Sequence, residues 1–226
     1  MGSNKEREMS LIFPDDIRDF ETAKSYFQGL GYKETNFAFS LGRVSGGADI
    51  QKDEDRLFLY RSDEADKRSF RLLEEHNLPR LSLAYLGNVD LFSGDTLAIA
   101  RLPLGARALD SMSFSHQQPS TEFLGSFEIL VAISKYLADL FVKTAYLPQK
   151  LTLNKLALVS TENNNGNNII RLIPPLHLEP AQDWRKTLED LKQDLQLQDP
   201  IYNHVKQMQS CERHFQMFLD LATKHD

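Results

Sequence analysis

Several groups of residues have side chains and spacings that invite a chemical reading. Cys211 and His214 stand three apart in a helical stretch and could offer two ligands to one metal ion. A structural zinc needs four and no second pair is present, so a buried core cysteine is the better reading. His177 and Glu179 alternate and would share a face of a strand, but two such groups alone do not define acid/base chemistry. Ser120, Thr121 and Glu122 precede a long apolar-periodic stretch, where they serve better as helix caps than as nucleophiles. In "LGRVSGGA", Gly42, Gly46 and Gly47 give the backbone freedom that a phosphate loop uses. Their spacing departs from G-x-G-x-x-G, and a hairpin turn accounts for them more simply. Arg61, Lys67, Arg68, Arg71 and Arg80 could meet an acidic partner or RNA, yet beside Glu64, Asp66, Glu74 and Glu75 they read as a mixed, solvated face. The most informative stretch is "YLPQKLTLNKLALV", residues 146–159, followed after a polar turn by "IIRLIPPLHL", residues 169–178. Neither contains a carboxylate.

The elements that must position these residues follow from periodicity. "PDDIRDFETAKSYFQGLGYK" begins with Pro14 and two aspartates, spaces Ile17, Phe20, Ala23 and Phe27 along one face, and stops at Gly29 and Gly31, which predicts a helix. "TNFAFSLGRV" and "RLFLYRS" (56–62) predict antiparallel strands, with "SGGADIQKDED" as the turn between them. A second helix is predicted in "SDEADKRSFRLLEEHN", with Ser62 and Asp63 as candidate caps and Ala65, Phe70, Leu72 and Leu73 as its apolar face. Two strands follow in "RLSLAYLGNV" and "DTLAIARLP", joined by "DLFSG". After an irregular connection, residues 121–146 form the longest helix candidate, with Leu124, Phe127, Leu130, Val131, Leu137, Ala138 and Phe141 in line and Ser134 among them. Two strands are expected at 151–159 and 168–173 around "TENNNGNN". Two helices close the chain, one presenting Trp184, Leu188, Leu191 and Leu195, the other Val205, Met208, Phe215, Phe218, Leu219 and Ala222.

Composition excludes several classes of function. A chain of 226 residues with 41% hydrophobic and 26% charged residues is ordinary for a globular protein of one domain or two small lobes. No apolar run approaches a membrane span. The opening "MGSNKEREMS" lacks the apolar core of a secretory signal, and Cys211 is the only cysteine, so a reducing cytoplasm is expected. A net charge of -6 argues against broad adhesion to nucleic acid, although a local basic patch is compatible with it. No stretch alternates aromatic and basic residues as a base-stacking groove would.

The order of elements and several local strings resemble the protein-kinase-like superfamily, above all its small atypical branches such as lipopolysaccharide kinases and aminoglycoside phosphotransferases. "LFLYRS" resembles the third strand, "EADKRSFRLLEEHNLPRL" the regulatory helix and fourth strand, and "LAIARLPLGARALD" the fifth strand and hinge. The resemblance spans about residues 37–178 and implies a two-lobed α+β fold. Its N-lobe would be an antiparallel sheet plus helix within residues 1–103, and its C-lobe a reduced, mainly helical part within residues 104–226. It also implies positions for catalytic groups, and most of these are filled by residues that cannot do the chemistry. The third-strand lysine falls near Tyr60 or Arg61, and its acidic partner near Asp66 or Glu64. The proton acceptor falls at Gln149 or Lys150, and neither accepts a proton as a carboxylate does. Asn154 is present where an asparagine is wanted, but it also reads as an ordinary turn residue. The tripeptide that should open with a metal-ligating aspartate is Pro174, Pro175, Leu176. Mg²⁺ wants hard oxygen ligands, which proline lacks.

The expectation is therefore a catalytically inactive kinase-like protein that needs no cofactor and acts by binding a macromolecule, most simply another protein. One alternative is a divergent phosphotransferase using ATP and Mg²⁺ with acids recruited from elsewhere, such as Asp49 or Asp90. Another is an α+β interaction domain unrelated to kinases, which a fold lacking a five-stranded sheet packed on the second helix would select.

Overall fold

The computed structural model describes residue 17 and residues 19–35, 47–85, 96–103, 106–109, 127–160, 168–198 and 205–222. Helix α1 (Phe20–Gly29) is capped by Asp19, whose carboxylate accepts from the Thr22 backbone N–H. The cap is thus a third aspartate, downstream of the predicted start at Pro14, which lies outside the described residues. Ile17, Ala23 and Phe27 are buried, as their spacing requires.

Strands β1 (Lys33–Glu34), β2 (Ala48–Lys52) and β3 (Asp55–Ser62) follow, then helix α2 (Glu64–Glu75), β4 (Ser82–Tyr85) and β5 (Thr96–Leu102). They build a five-stranded antiparallel sheet in the order β1-β2-β3-β5-β4. β2 corrects the sequence reading, because it occupies the predicted turn "SGGADIQKDED". Its polar residues are tolerated because buried Asp49 is held by the Arg56 guanidinium from the neighbouring strand. The turn shrinks to Asp53 and Glu54, with Asp53 in the left-handed region at φ 51°. Most of "TNFAFSLGRV" and all of "DLFSG" lie outside the described residues.

β3 has two buried faces. Leu57 and Leu59 pack with Ile50, Leu97, Ile99 and α1. Phe58 and Tyr60 point the other way, onto Leu81, Ala98, Ala100 and Leu102 and onto Ala157 and Ile173 from the far half of the chain. Asp63, and not Ser62, caps α2 by accepting from the Asp66 N–H.

The remaining chain forms β6 (Arg107–Ala108), α3 (Phe127–Thr144), β7 (Tyr146–Pro148), β8 (Leu156–Ser160), β9 (Asn168–Leu172), β10 (Leu178–Pro180), α4 (Trp184–Gln198) and α5 (Val205–Ala222). β6, β8 and β9 make one small antiparallel sheet, and β7 and β10 another. The strand predicted from Leu151 begins only at Leu156. Residues before it turn through a short 3-10 helix, Leu153–Lys155, because Asp194 on α4 accepts the Leu153 N–H at 2.7 Å. α3 buries a wider face than predicted, with Ile129, Ile133, Tyr136 and Leu140 as covered as the predicted Leu130, Leu137 and Ala138, and keeps an exposed stripe at Glu128, Lys135, Asp139 and Val142. It is the axis of a large core shared with α2, α4 and α5. Among the described residues no helix is long and apolar enough to cross a membrane.

Candidate functional site

The junction between the five-stranded sheet and the α3 half is organised by Asp66. It lies on the inward face of α2 and is fully buried. One carboxylate oxygen accepts the Leu176 backbone N–H at 2.6 Å, and the other accepts the hydroxyls of Tyr60, at 3.0 Å, and Ser62. Burial raises its pKa, against the pull of these three donors. Tyr60, one of the two residues expected near the lysine's place, thus meets Asp66 through a neutral hydroxyl, which burial and the nearby carboxylate keep protonated. Arg61, one residue on, is exposed. Asp66 is engaged as above, and Glu64 makes an exposed charge pair on the helix with Lys67 and Arg71. Strand parity explains the difference between Tyr60 and Arg61, since positions 58, 60 and 62 share the face toward α2 and position 61 takes the opposite one.

A second cluster surrounds a pocket of about 140 Å³ lined by Gln149, Lys150, Lys155, Pro175, His177 and apolar neighbours that include Leu172 and Leu176. The structure thus brings Gln149 and Lys150 together with the Pro174–Leu176 turn, whose Pro174–Pro175 bond is cis. Pro174 itself is buried and Asn154 is half-buried, and neither lines the pocket. Asn154 accepts from the Thr152 hydroxyl two residues away, a local turn contact. Lys155, which sequence reasoning passed over, reaches across to donate to the Pro175 carbonyl at 2.8 Å. Burial lowers its pKa, with the charge of Asp66 acting in the opposite sense. These residues do not fit a magnesium ion: the turn offers proline and leucine side chains, and the nearest added charge is an ammonium. Among the described residues no three of His, Cys, Asp and Glu gather as metal ligands would.

Between the sheet and the β8–β9 hairpin, described residues pack directly on one another. Phe58 and Tyr60 are stacked at 5.4 Å with their planes 7° apart, both almost wholly inaccessible, against Ala157 and Ile173. Gly47 serves that packing, because a Cβ there would stand 2.6 Å from the Phe58 ring. Gly42 and Gly46 lie outside the described residues, as do Asp90 and Ser120, Thr121 and Glu122. Asp49 is engaged by Arg56.

The remaining candidates have local roles. Cys211 is buried in the core beside the Ser134 hydroxyl, and His214 bonds the Ser210 carbonyl. His177 stands 3.0 Å from Asp63, and Glu179 is exposed on β10. Of the basic residues on and after α2, Lys67 and Arg71 pair with Glu64, and Arg80 with Glu74.

No family model matches the sequence and no curated protein is similar to it. Among solved structures, the chain is similar to WaaP in complex with acyl carrier protein, with a TM-score of 0.52 and 8% identity, covering 89% of this chain and 90% of that one. A looser likeness is to choline kinase LicA from Streptococcus pneumoniae, with a TM-score of 0.40 and 10% identity, covering 86% and 79%. The first likeness is one of fold alone, and the mixed α/β architecture with its antiparallel sheet is consistent with the expected kinase-like fold.

Proposed function

We propose that this chain is a kinase-like scaffold without phosphotransferase activity, which works by binding a protein partner. The observation that carries the reading is the chemistry of the pocket at Lys155, whose lining includes two lysines and no carboxylate. In-line phosphoryl transfer is catalysed by positioning and by neutralising charge with metal ions, and both metal and proton acceptor depend on acids at this place. Two further features support it. The third-strand position carries Tyr60, bonded to Asp66, in place of a cation that could hold phosphates. Phe58 and Tyr60 also take up the space between sheet and hairpin in which a flat base would have to lie. Residues 1–103 and 104–226 are the two lobes of the scaffold in this reading, and its location is cytoplasmic. The partner class draws support from the WaaP structure, in which a chain of this fold is in complex with acyl carrier protein.

The test is thermal unfolding of the purified protein with ATP and Mg²⁺. A ligand at about 100 times its Kd adds about 2.7 kcal/mol of stability, enough to shift the midpoint by several degrees. The expected result is no shift. A magnesium-dependent rise, or phosphate transfer abolished by changing one carboxylate, would establish the divergent phosphotransferase in its place. Affinity purification from the native cells should return a stoichiometric protein partner.

A further inference from the structure

We propose that the pocket beside Lys155 is a metal-independent binding site for one small oxyanion the size of phosphate. The inference rests on the reading above, in that a site without acids leaves its cations free to hold an anion directly.

In a chain of net charge -6, this pocket is lined by the ammonium-bearing Lys150 and Lys155, the Gln149 amide and the His177 imidazole, and by no carboxylate. Its remaining walls are apolar and come from Pro148, Leu172, Pro175, Leu176 and Leu178. An ammonium group has three donors, and Lys155 donates one of them to the Pro175 carbonyl. Partial burial penalises that charge, and Asp66 only partly offsets the penalty, so an anion arriving beside it restores what desolvation removed. His177 is held at 3.0 Å by Asp63 on the α2 side, which keeps its ring at the pocket rim. Size sets the ligand: about 140 Å³ is close to the volume of a cavity that takes benzene, about six heavy atoms. Phosphate has five. A nucleotide is several times too large to enter whole.

Titration of inorganic phosphate into the full chain in the presence of a chelator, followed by calorimetry and by ³¹P line width, should show saturable binding with Kd on the order of 1 mM. Lys155→Met should weaken it at least tenfold. Lys150→Gln, at an exposed position whose change leaves the core untouched, should weaken it several-fold. Sulfate should compete, and chloride at equal ionic strength should not. Methyl phosphate binding more tightly than phosphate would assign the pocket to monoesters, its methyl group lying on the proline and leucine walls; equal binding would assign it to the free ion. No saturable binding in the millimolar range, or binding unchanged in Lys150→Gln and Lys155→Met, overturns the proposal. Its failure is distinct from that of the inactive reading, which is decided by magnesium-dependent nucleotide binding.

Discussion

Asp66 ties three pieces of chain together through one side chain, since Tyr60 and Ser62 belong to β3 and Leu176 to the turn before β10. Asp66→Ala would leave the Leu176 N–H and two hydroxyls buried without an acceptor. Each such orphan costs about 1–3 kcal/mol, so a loss of at least 3 kcal/mol is expected in denaturant unfolding. Tyr60→Phe removes one donor and should cost only about 1 kcal/mol. The pH dependence has a definite sign. Burial raises the Asp66 carboxyl above its ordinary 3.8, so the folded chain binds this proton more tightly than the unfolded one. Its contribution to stability is then full below that ordinary value and declines as pH rises through the raised folded value. As pH rises above that ordinary value, Asp66→Asn should remove this decline, whatever its effect on absolute stability. An unchanged slope in the asparagine variant would show that Asp66 titrates as it does in the unfolded chain.

At the scale of elements, β3 sets the geometry because its two faces serve two cores. Gly47, immediately before β2, lies so close to the Phe58 ring that Gly47→Ala forces ring or backbone to move, an overpacking cost of about 1–3 kcal/mol. Phe58→Leu shortens the offending side chain, so in the double variant the alanine should cost much less than in the wild-type background. A double-mutant cycle by urea unfolding measures this coupling, and strict additivity would mean that Gly47 is needed for its backbone and not for Phe58. The same strand shows what could be read in advance. Alternating apolar residues made β3 legible, and Asp63 with a periodic apolar face made α2 legible, because both patterns are local. β2 was hidden because its Asp49 is neutralised by Arg56, a partner supplied across the sheet. The contact between position 60 and Asp66 was half legible: parity along β3 selects Tyr60 over Arg61, but a search for charges favours the arginine. Lys155 left no local mark, since its importance comes from the Pro175 carbonyl twenty residues on.

Across the whole molecule, the boundary expected near residue 103 divides the chain more sharply than the core does. Phe70, Leu73 and Leu78, from the first part, lie in one buried cluster with Leu137, Leu188 and Phe215 from the second. Ala157 and Ile173 likewise complete the cluster under Phe58 and Tyr60. Cutting at residue 103 would therefore uncover the Phe58 and Tyr60 face of the sheet and the inner face of α2 at once, leaving the first fragment only its smaller core against α1. Residues 1–103 alone should give a poorly dispersed amide spectrum, even though they contain the five-stranded sheet and α2 entire. A dispersed spectrum from that fragment would show that the sheet half folds by itself. In the intact chain the single tryptophan, Trp184, is buried and stacked on Phe215 at 4.5 Å, so its fluorescence reports the α3 half alone. Leu73→Ala, made on α2, should cost about 2–5 kcal/mol because the residue is fully buried. If the two halves unfold as one unit, that loss appears equally in Trp184 fluorescence and in circular dichroism, with coincident midpoints. A tryptophan transition left in place by Leu73→Ala would instead mean that the halves melt independently, and that α2 belongs energetically to the sheet.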